Sequence, residues 1–291
     1  MSVTVSIKSQ KRLKLKEILP KGLEFGAYDD AYRLTEAKNE DSVIIFDPKA
    51  IACGIFAEPA EGRIRLGISI PTGEKEIRLF YQVVENACRV PGTEVFARSE
   101  KAPSPDADAQ DPEGETCSTA QIPDLISRDI RASERALADL SEKMTGEKKI
   151  LKILCALNPL VLSAEDVRGF GGSAAKFGAW LHEKQSAKAY YSAPQFYQDP
   201  STGGFVGVYA LQSGIRSIMP FEPSLPFYME GDEPVWYVYL YLSDSEFGYI
   251  PFAEFGKHAP KDGAYDAAHY FCELTEEQTQ MLIRNYGVDV Q

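Results

Sequence analysis

A glycine-rich turn, three histidines, five cysteines and an aromatic run hold the residue types that could do chemistry in this chain. Gly169-Phe170-Gly171-Gly172-Ser173-Ala174 fits G-x-G-x-x-G/A, in which glycine amides and a helix N-terminus hold a pyrophosphate. That chemistry needs a strand, a tight turn and then a helix. Here a helix-like Ser-Ala-Glu-Asp-Val-Arg segment comes first. The simpler reading is a turn between two helices, with Ser173 as N-cap. Lys176 lies in no P-loop pattern, and Gly-Gly-Ser-Ala-Ala is not the G-x-S-x-G of a nucleophile elbow. If a small molecule or sugar phosphate were the substrate, Gly169, Gly171, Gly172 and Ser173 would form an anion-binding turn between two lobes.

No histidine pair has H-E-x-x-H spacing. His258 and His269 bracket Asp262 and Asp266, a formal two-histidine, carboxylate set, but the intervening segment reads as loop. His182, near a helix end, reads as a solvated last-turn histidine that favours the helix dipole. The expectation is a non-catalytic protein with no metal and no cofactor. Cys53, Cys88, Cys117, Cys155 and Cys272 are odd in number, widely spaced and without C-x-x-C, which suits reduced, partly buried thiols.

The aromatic run is the most unusual feature. Residues 190–255 contain 17 of the 32 aromatic residues, with eight acidic residues and one basic residue, Arg216. Val235–Leu242 reads Val-Trp-Tyr-Val-Tyr-Leu-Tyr-Leu. As a strand it puts Trp236, Val238, Leu240 and Leu242 on one face and Val235, Tyr237, Tyr239 and Tyr241 on the other. The first face is apolar core. The second carries phenols that need water or partners. Tyrosine is also a good strand former, so helices could cover that face. If it is open, Trp236, Tyr237, Tyr239 and Tyr241 with Asp232, Glu233, Asp244 and Glu246 make a site for a basic protein partner. Lysine or arginine over a ring gains about 0.5–1 kcal/mol when exposed.

Elements must position these groups. From Ala97 to Gln121 the chain has no Val, Ile, Leu, Met, Phe, Trp or Tyr. Such a stretch cannot bury enough apolar surface to offset the entropy of ordering. It predicts a linker or long loop over 99–124, dividing a small lobe at 1–98 from a larger one at 125–291. In the first lobe Val3, Val5 and Ile7 alternate as a strand, Ser42–Phe46 is another, and 51–57 and 63–70 make a hairpin. Thr72 is the expected cap of a helix with Ile77, Phe80, Tyr81, Val84 and Cys88 on one face, stopped by Pro91-Gly92. The second lobe opens helically, with Ser127 as cap. Capping boxes stand at Ser163-x-x-Asp166 and Thr275-x-x-Gln278. Together these predict an α+β protein: a small mixed sheet with a helix, then helices, an antiparallel aromatic-rich sheet and a C-terminal helix.

The net charge is −12 over 291 residues, which excludes a mainly electrostatic nucleic-acid binder. Half of it lies in residues 99–124, with one basic and seven acidic groups. The N-terminal arm differs. Lys8, Lys11, Arg12, Lys14, Lys16 and Lys21 face only Glu17, with Leu13, Leu15, Ile18 and Leu19 interleaved. It reads as the solvated face of a strand and short helix, and it is where nucleic acid or anionic lipid would bind if either did. No leader-like h-region opens the chain and no apolar run approaches the ~20 residues of a membrane span, so the expected location is cytoplasmic. The opening Met-Ser-Val-Thr-Val-Ser-Ile-Lys, the length and the acidic mixed composition resemble bacterial proteins of about 300 residues grouped as domains of unknown function. That resemblance implies a bacterial, cytosolic setting and assigns no activity or residue role.

Overall fold

The computed structural model describes residues 2–10, 13–28, 34–37, 41–97, 114–144, 150–198, 203–224 and 234–289. The protein is α+β, and its packing divides into two units, Met1–Ser186 and Ala187–Gln291.

The first unit is built on an antiparallel sheet. Its strands are β1 (Ser2–Ser9), β2 (Glu24–Tyr28), β3 (Leu34–Thr35), β4 (Val43–Phe46), β5 (Ile55–Ala60), β6 (Arg63–Ser69), β7 (Thr93–Ala97) and β8 (Glu115–Thr116), in the order β3-β2-β4-β5-β6-β1-β7-β8. Alternation sets which face is buried: Val3, Val5 and Ile7 of β1 and Ile64, Leu66 and Ile68 of β6 enter the core. Helix α1 (Leu15–Ile18) and helix α2 (Glu74–Arg89) pack there too, α2 through Ile77, Phe80, Tyr81 and Val84. The basic arm is anchored at the same core by Leu13, Leu15, Ile18 and Leu19, while Lys8 and Lys16 lie over Phe96 and Phe25.

Residues 114–124 account for the position of the division. β8 pairs with β7, and Cys117 and Ile122 enter the core of the first sheet. By its contacts the chain divides after Ser186; of the expected linker at 99–124, residues 99–113 lie outside the described residues. Helix α3 (Ile122–Lys143) starts at Ile122 with Pro123 in its first turn, five residues before Ser127. The Ser127 hydroxyl instead donates to the Pro123 carbonyl at 2.9 Å. A hairpin of β9 (Ile150–Ile153) and β10 (Leu160–Ser163) follows, then α4 (Ala164–Phe170) and α5 (Ala174–Gln185).

Polar anchors hold these pieces in place. The buried Glu76 carboxylate accepts the Gly54 amide at 2.5 Å and the Thr72 hydroxyl, fixing the 51–54 loop on α2. Burial pushes its carboxyl above the ordinary range. The Ser133 hydroxyl accepts the Thr72 amide and donates to the Thr72 carbonyl, at 2.9 and 2.6 Å. His182 is not the solvated last-turn residue expected: its Nδ1 accepts the Ile51 amide at 3.1 Å.

The second unit contains β11 (Tyr190–Tyr191), β12 (Gln195–Gln198), β13 (Phe205–Gln212), β14 (Ser217–Pro220), β15 (Val235–Ser243), β16 (Glu246–Pro251) and β17 (His269–Cys272), with α6 (Phe252–His258) and α7 (Glu276–Tyr286). They form a four-stranded sheet, β12-β13-β15-β16, and a three-stranded one, β11-β14-β17. The aromatic sheet is mixed at its centre: β13 and β15 run parallel, while the outer pairs are antiparallel. The chain leaves β13 through β14 before returning as β15, a crossover that permits parallel pairing where a hairpin would not. The core lies between the two sheets and under α6 and α7, with Tyr209, Met219, Val238, Leu240, Phe255 and Leu282 at its centre. Among the described residues no helix is long and apolar enough to cross a membrane.

Candidate functional site: the outer face of the aromatic sheet

Strand β15 gives its alternate side chains to two environments. Val238 and Leu240 are fully buried, in one cluster with Ile250, Phe252, Phe255 and Leu282. On the other face Tyr237 sits beside Val208 and Pro251, Tyr239 beside Ala210 and Tyr249, and Tyr241 beside Gln212 and Phe247. Cross-strand pairing thus builds an aromatic patch. The Tyr239 ring lies 5.1 Å from Tyr249 and 5.8 Å from Phe247. Tyr237, Tyr239, Tyr241 and Tyr249 are half-exposed, and Phe247 and Val235 are 52% and 56% exposed. Val208 is buried in the middle of the face. Helices α6 and α7 both pack on the opposite side, through Phe252, Phe255 and Leu282.

The Tyr241 hydroxyl donates to Asp244 Oδ1 at 2.8 Å, which raises the phenol's pKa because the bond favours the neutral form. Partial burial, then the nearby Tyr249 and Asp244, raise that of Tyr239. Tyr237, Tyr239, Tyr241 and Asp244 are therefore brought together. Glu246 is drawn aside, its Oε2 accepting from Gln280 Nε2 of α7 at 3.2 Å. Asp232 and Glu233 lie outside the described residues. Trp236 does not join the patch. It stacks on Tyr209 at 5.7 Å and meets the edge of Phe196 at 5.6 Å. Its ring occupies the space over Gly207, where a Cβ would approach it to 2.4 Å. Trp236 is thus a packing residue on the core face.

The glycine turn joins α4 to α5 within the first unit. Gly171 and Gly172 take φ of 57° and 73°, and the Ser173 hydroxyl accepts the Lys176 amide at 3.3 Å as N-cap. Ser163 and Asp166 form the expected capping box at the start of α4. A shallow groove of about 540 Å³ runs beside the turn, lined by Gly169, Phe170, Lys176 and Trp180 with Glu165, Asp166 and Glu183. Three carboxylates against one ammonium make poor surroundings for a phosphate.

One polar constellation is illegible in the spacing. Asp266 Oδ1 accepts the amides of Ala268 and His269 at 2.8 and 2.9 Å and His269 Nδ1–H at 2.8 Å. In the neutral ring this leaves Nε2 to accept the Tyr191 hydroxyl, 3.2 Å away. Burial, with Asp266 nearby, raises the Tyr191 phenol well above its usual value. The three residues tie β11, β17 and the 266–268 turn together. The only local signal is the Asp-Ala-Ala-His spacing. His258 is elsewhere, stacked on Tyr286 at 4.3 Å, so the bracketed histidines do not converge. Among the described residues no group of three or more His, Cys, Asp or Glu side chains is placed to hold a metal ion.

Comparison with curated proteins and with solved structures finds no match. A family model described as a domain of unknown function (DUF4299) matches residues 2–282. That match spans both units and nearly the whole chain, so the protein belongs to the DUF4299 family.

Proposed function

We propose that this is a non-catalytic binding or regulatory protein whose second unit recognises a basic segment of a protein partner on the outer face of β13, β15 and β16. The observation that carries the reading is the half-exposed Tyr237–Tyr239–Tyr241 row, backed by Tyr249 and Phe247 and edged by Asp244. Ring faces are electron-rich, so arginine or lysine side chains gain cation–π attraction there and ion pairing at the edge. The charge of the segment agrees: residues 190–255 contain eight acidic groups and one basic group, and Arg216 lies over the Phe271 ring at 4.0 Å. Five free cysteines suit a reducing bacterial cytoplasm, where we place the protein.

Titrating a short synthetic peptide of alternating arginine and glycine into isotope-labelled protein tests this. The expected result is amide shift changes concentrated on β15 and β16 around residues 237–249, weakening with salt. Shifts scattered over the acidic surface, or centred on the groove between α4 and α5, would overturn it.

A further inference from the structure

We propose that Cys88 and Cys117 form a peroxide-oxidisable dithiol in the first unit, closing a disulfide across the segment between α2 and α3. The two residues are 29 apart in sequence, yet the fold brings them into contact. Cys88 sits in the last turn of α2, half-exposed. Cys117 follows β8 and is held there by its amide, which donates to the Val95 carbonyl at 2.7 Å. The Cys88 thiol reaches the Cys117 carbonyl at 3.7 Å, which sets the two residues side by side. Both belong to the same apolar core, Cys117 buried in it and Cys88 half-exposed at its edge.

The surroundings divide the roles. The Cys88 thiol beside it, with the Arg128 guanidinium nearby, lowers the Cys117 thiol below an ordinary thiol. The same contact, with burial, raises Cys88 well above an ordinary thiol. Cys117 is thus the thiolate and Cys88 the thiol that resolves it. The oxidant is a hydroperoxide. The Cys117 thiolate attacks the distal peroxide oxygen, the O–O bond breaks, and hydroxide leaves and takes a proton to become water. The product is a sulfenic acid at Cys117. The Cys88 sulfur then attacks the Cys117 sulfur, the S–O bond breaks, and the Cys88 proton leaves with the hydroxyl as a second water. Two thiols are oxidised to one disulfide and one peroxide is reduced to two waters. The product closes a covalent ring over residues 88–117, which reduces the entropy of the unfolded chain.

The test treats the full-length protein with a small excess of hydrogen peroxide and maps disulfides under non-reducing conditions. The expected result is one intramolecular Cys88–Cys117 bond, with titratable thiols in denaturant falling from five to three. The rate should be half-maximal well below the pH at which an ordinary thiol ionises. In Cys88→Ser, dimedone should trap a sulfenic acid at Cys117; far-ultraviolet circular dichroism checks that this variant is folded. Oxidation of all five thiols at similar rates would overturn the proposal, as would linkage of either cysteine to Cys53, Cys155 or Cys272. So would a rate that climbs with a midpoint near 9, the value of an ordinary thiol. Should Cys88→Ser not fold, the wild-type map and pH profile decide alone.

Discussion

The two faces of β15 share one backbone and differ in what they touch. Inward, Val238 and Leu240 are fully buried under α6, α7 and the three-stranded sheet. Outward, Tyr237, Tyr239 and Tyr241 remain half-exposed beside Tyr249 and Phe247. The inner face stabilises the unit by removing apolar area from water, at roughly 25 cal/mol per Å². The outer face leaves part of its aromatic area in water. Contiguous exposed apolar patches are a feature of interaction surfaces, which is the ground of the proposed role. The tyrosine row is therefore read as function and the Trp236 row as stability.

The largest expected effect falls on the inner face. Leu240→Ala should lower stability by about 2–5 kcal/mol, measured by urea unfolding, because it leaves a cavity against Ile250 and Leu282. A cost comparable to that of an outward tyrosine would remove the distinction between the faces. Gly207→Ala should cost about 1–3 kcal/mol, because the new Cβ meets the Trp236 ring.

A smaller effect concerns phenol ionisation. Burial pushes Tyr209, on the inner face, up to about 12. Its folded value exceeds the unfolded one near 10. The stability it contributes is fully present below pH 10 and is lost as pH rises through about 12. Tyr209→Phe should flatten the alkaline unfolding curve in that window. The outer Tyr241 is raised chiefly by its bond to Asp244, so Asp244→Asn should lower its titration with no change in unfolding. Ultraviolet difference titration separates the two phenols. A Tyr241 midpoint unmoved by Asp244→Asn would contradict the contact.

Much of this architecture is legible because its signals are local. The alternation in β1, the apolar stripe of α2 and the capping boxes at Ser163 and Thr275 each need only a few consecutive residues, and each appears where expected. The division of β15 into two faces is legible for the same reason. What spacing misses is long-range. The parallel pairing of β13 with β15 depends on a crossover, and the division after Ser186 depends on β8 and Cys117 joining the first sheet. The start of α3 was obscured because Pro123 serves as a helix opener, whereas composition alone marks it as linker. Trp236 looks like a recognition aromatic until Gly207 gives it a seat. Tyr191 and His269 are 78 residues apart, beyond any motif.

The most direct test of the central claim compares the arginine–glycine peptide's affinity for the wild type and for Tyr237→Ala/Tyr239→Ala. The substitutions leave the net charge at −12, so nonspecific attraction to an acidic protein is unchanged. With two cation–π contacts of about 0.5–1 kcal/mol each, affinity should fall about 5- to 30-fold while unfolding stability changes by about 1 kcal/mol. Equal affinity in a folded double variant would contradict the account.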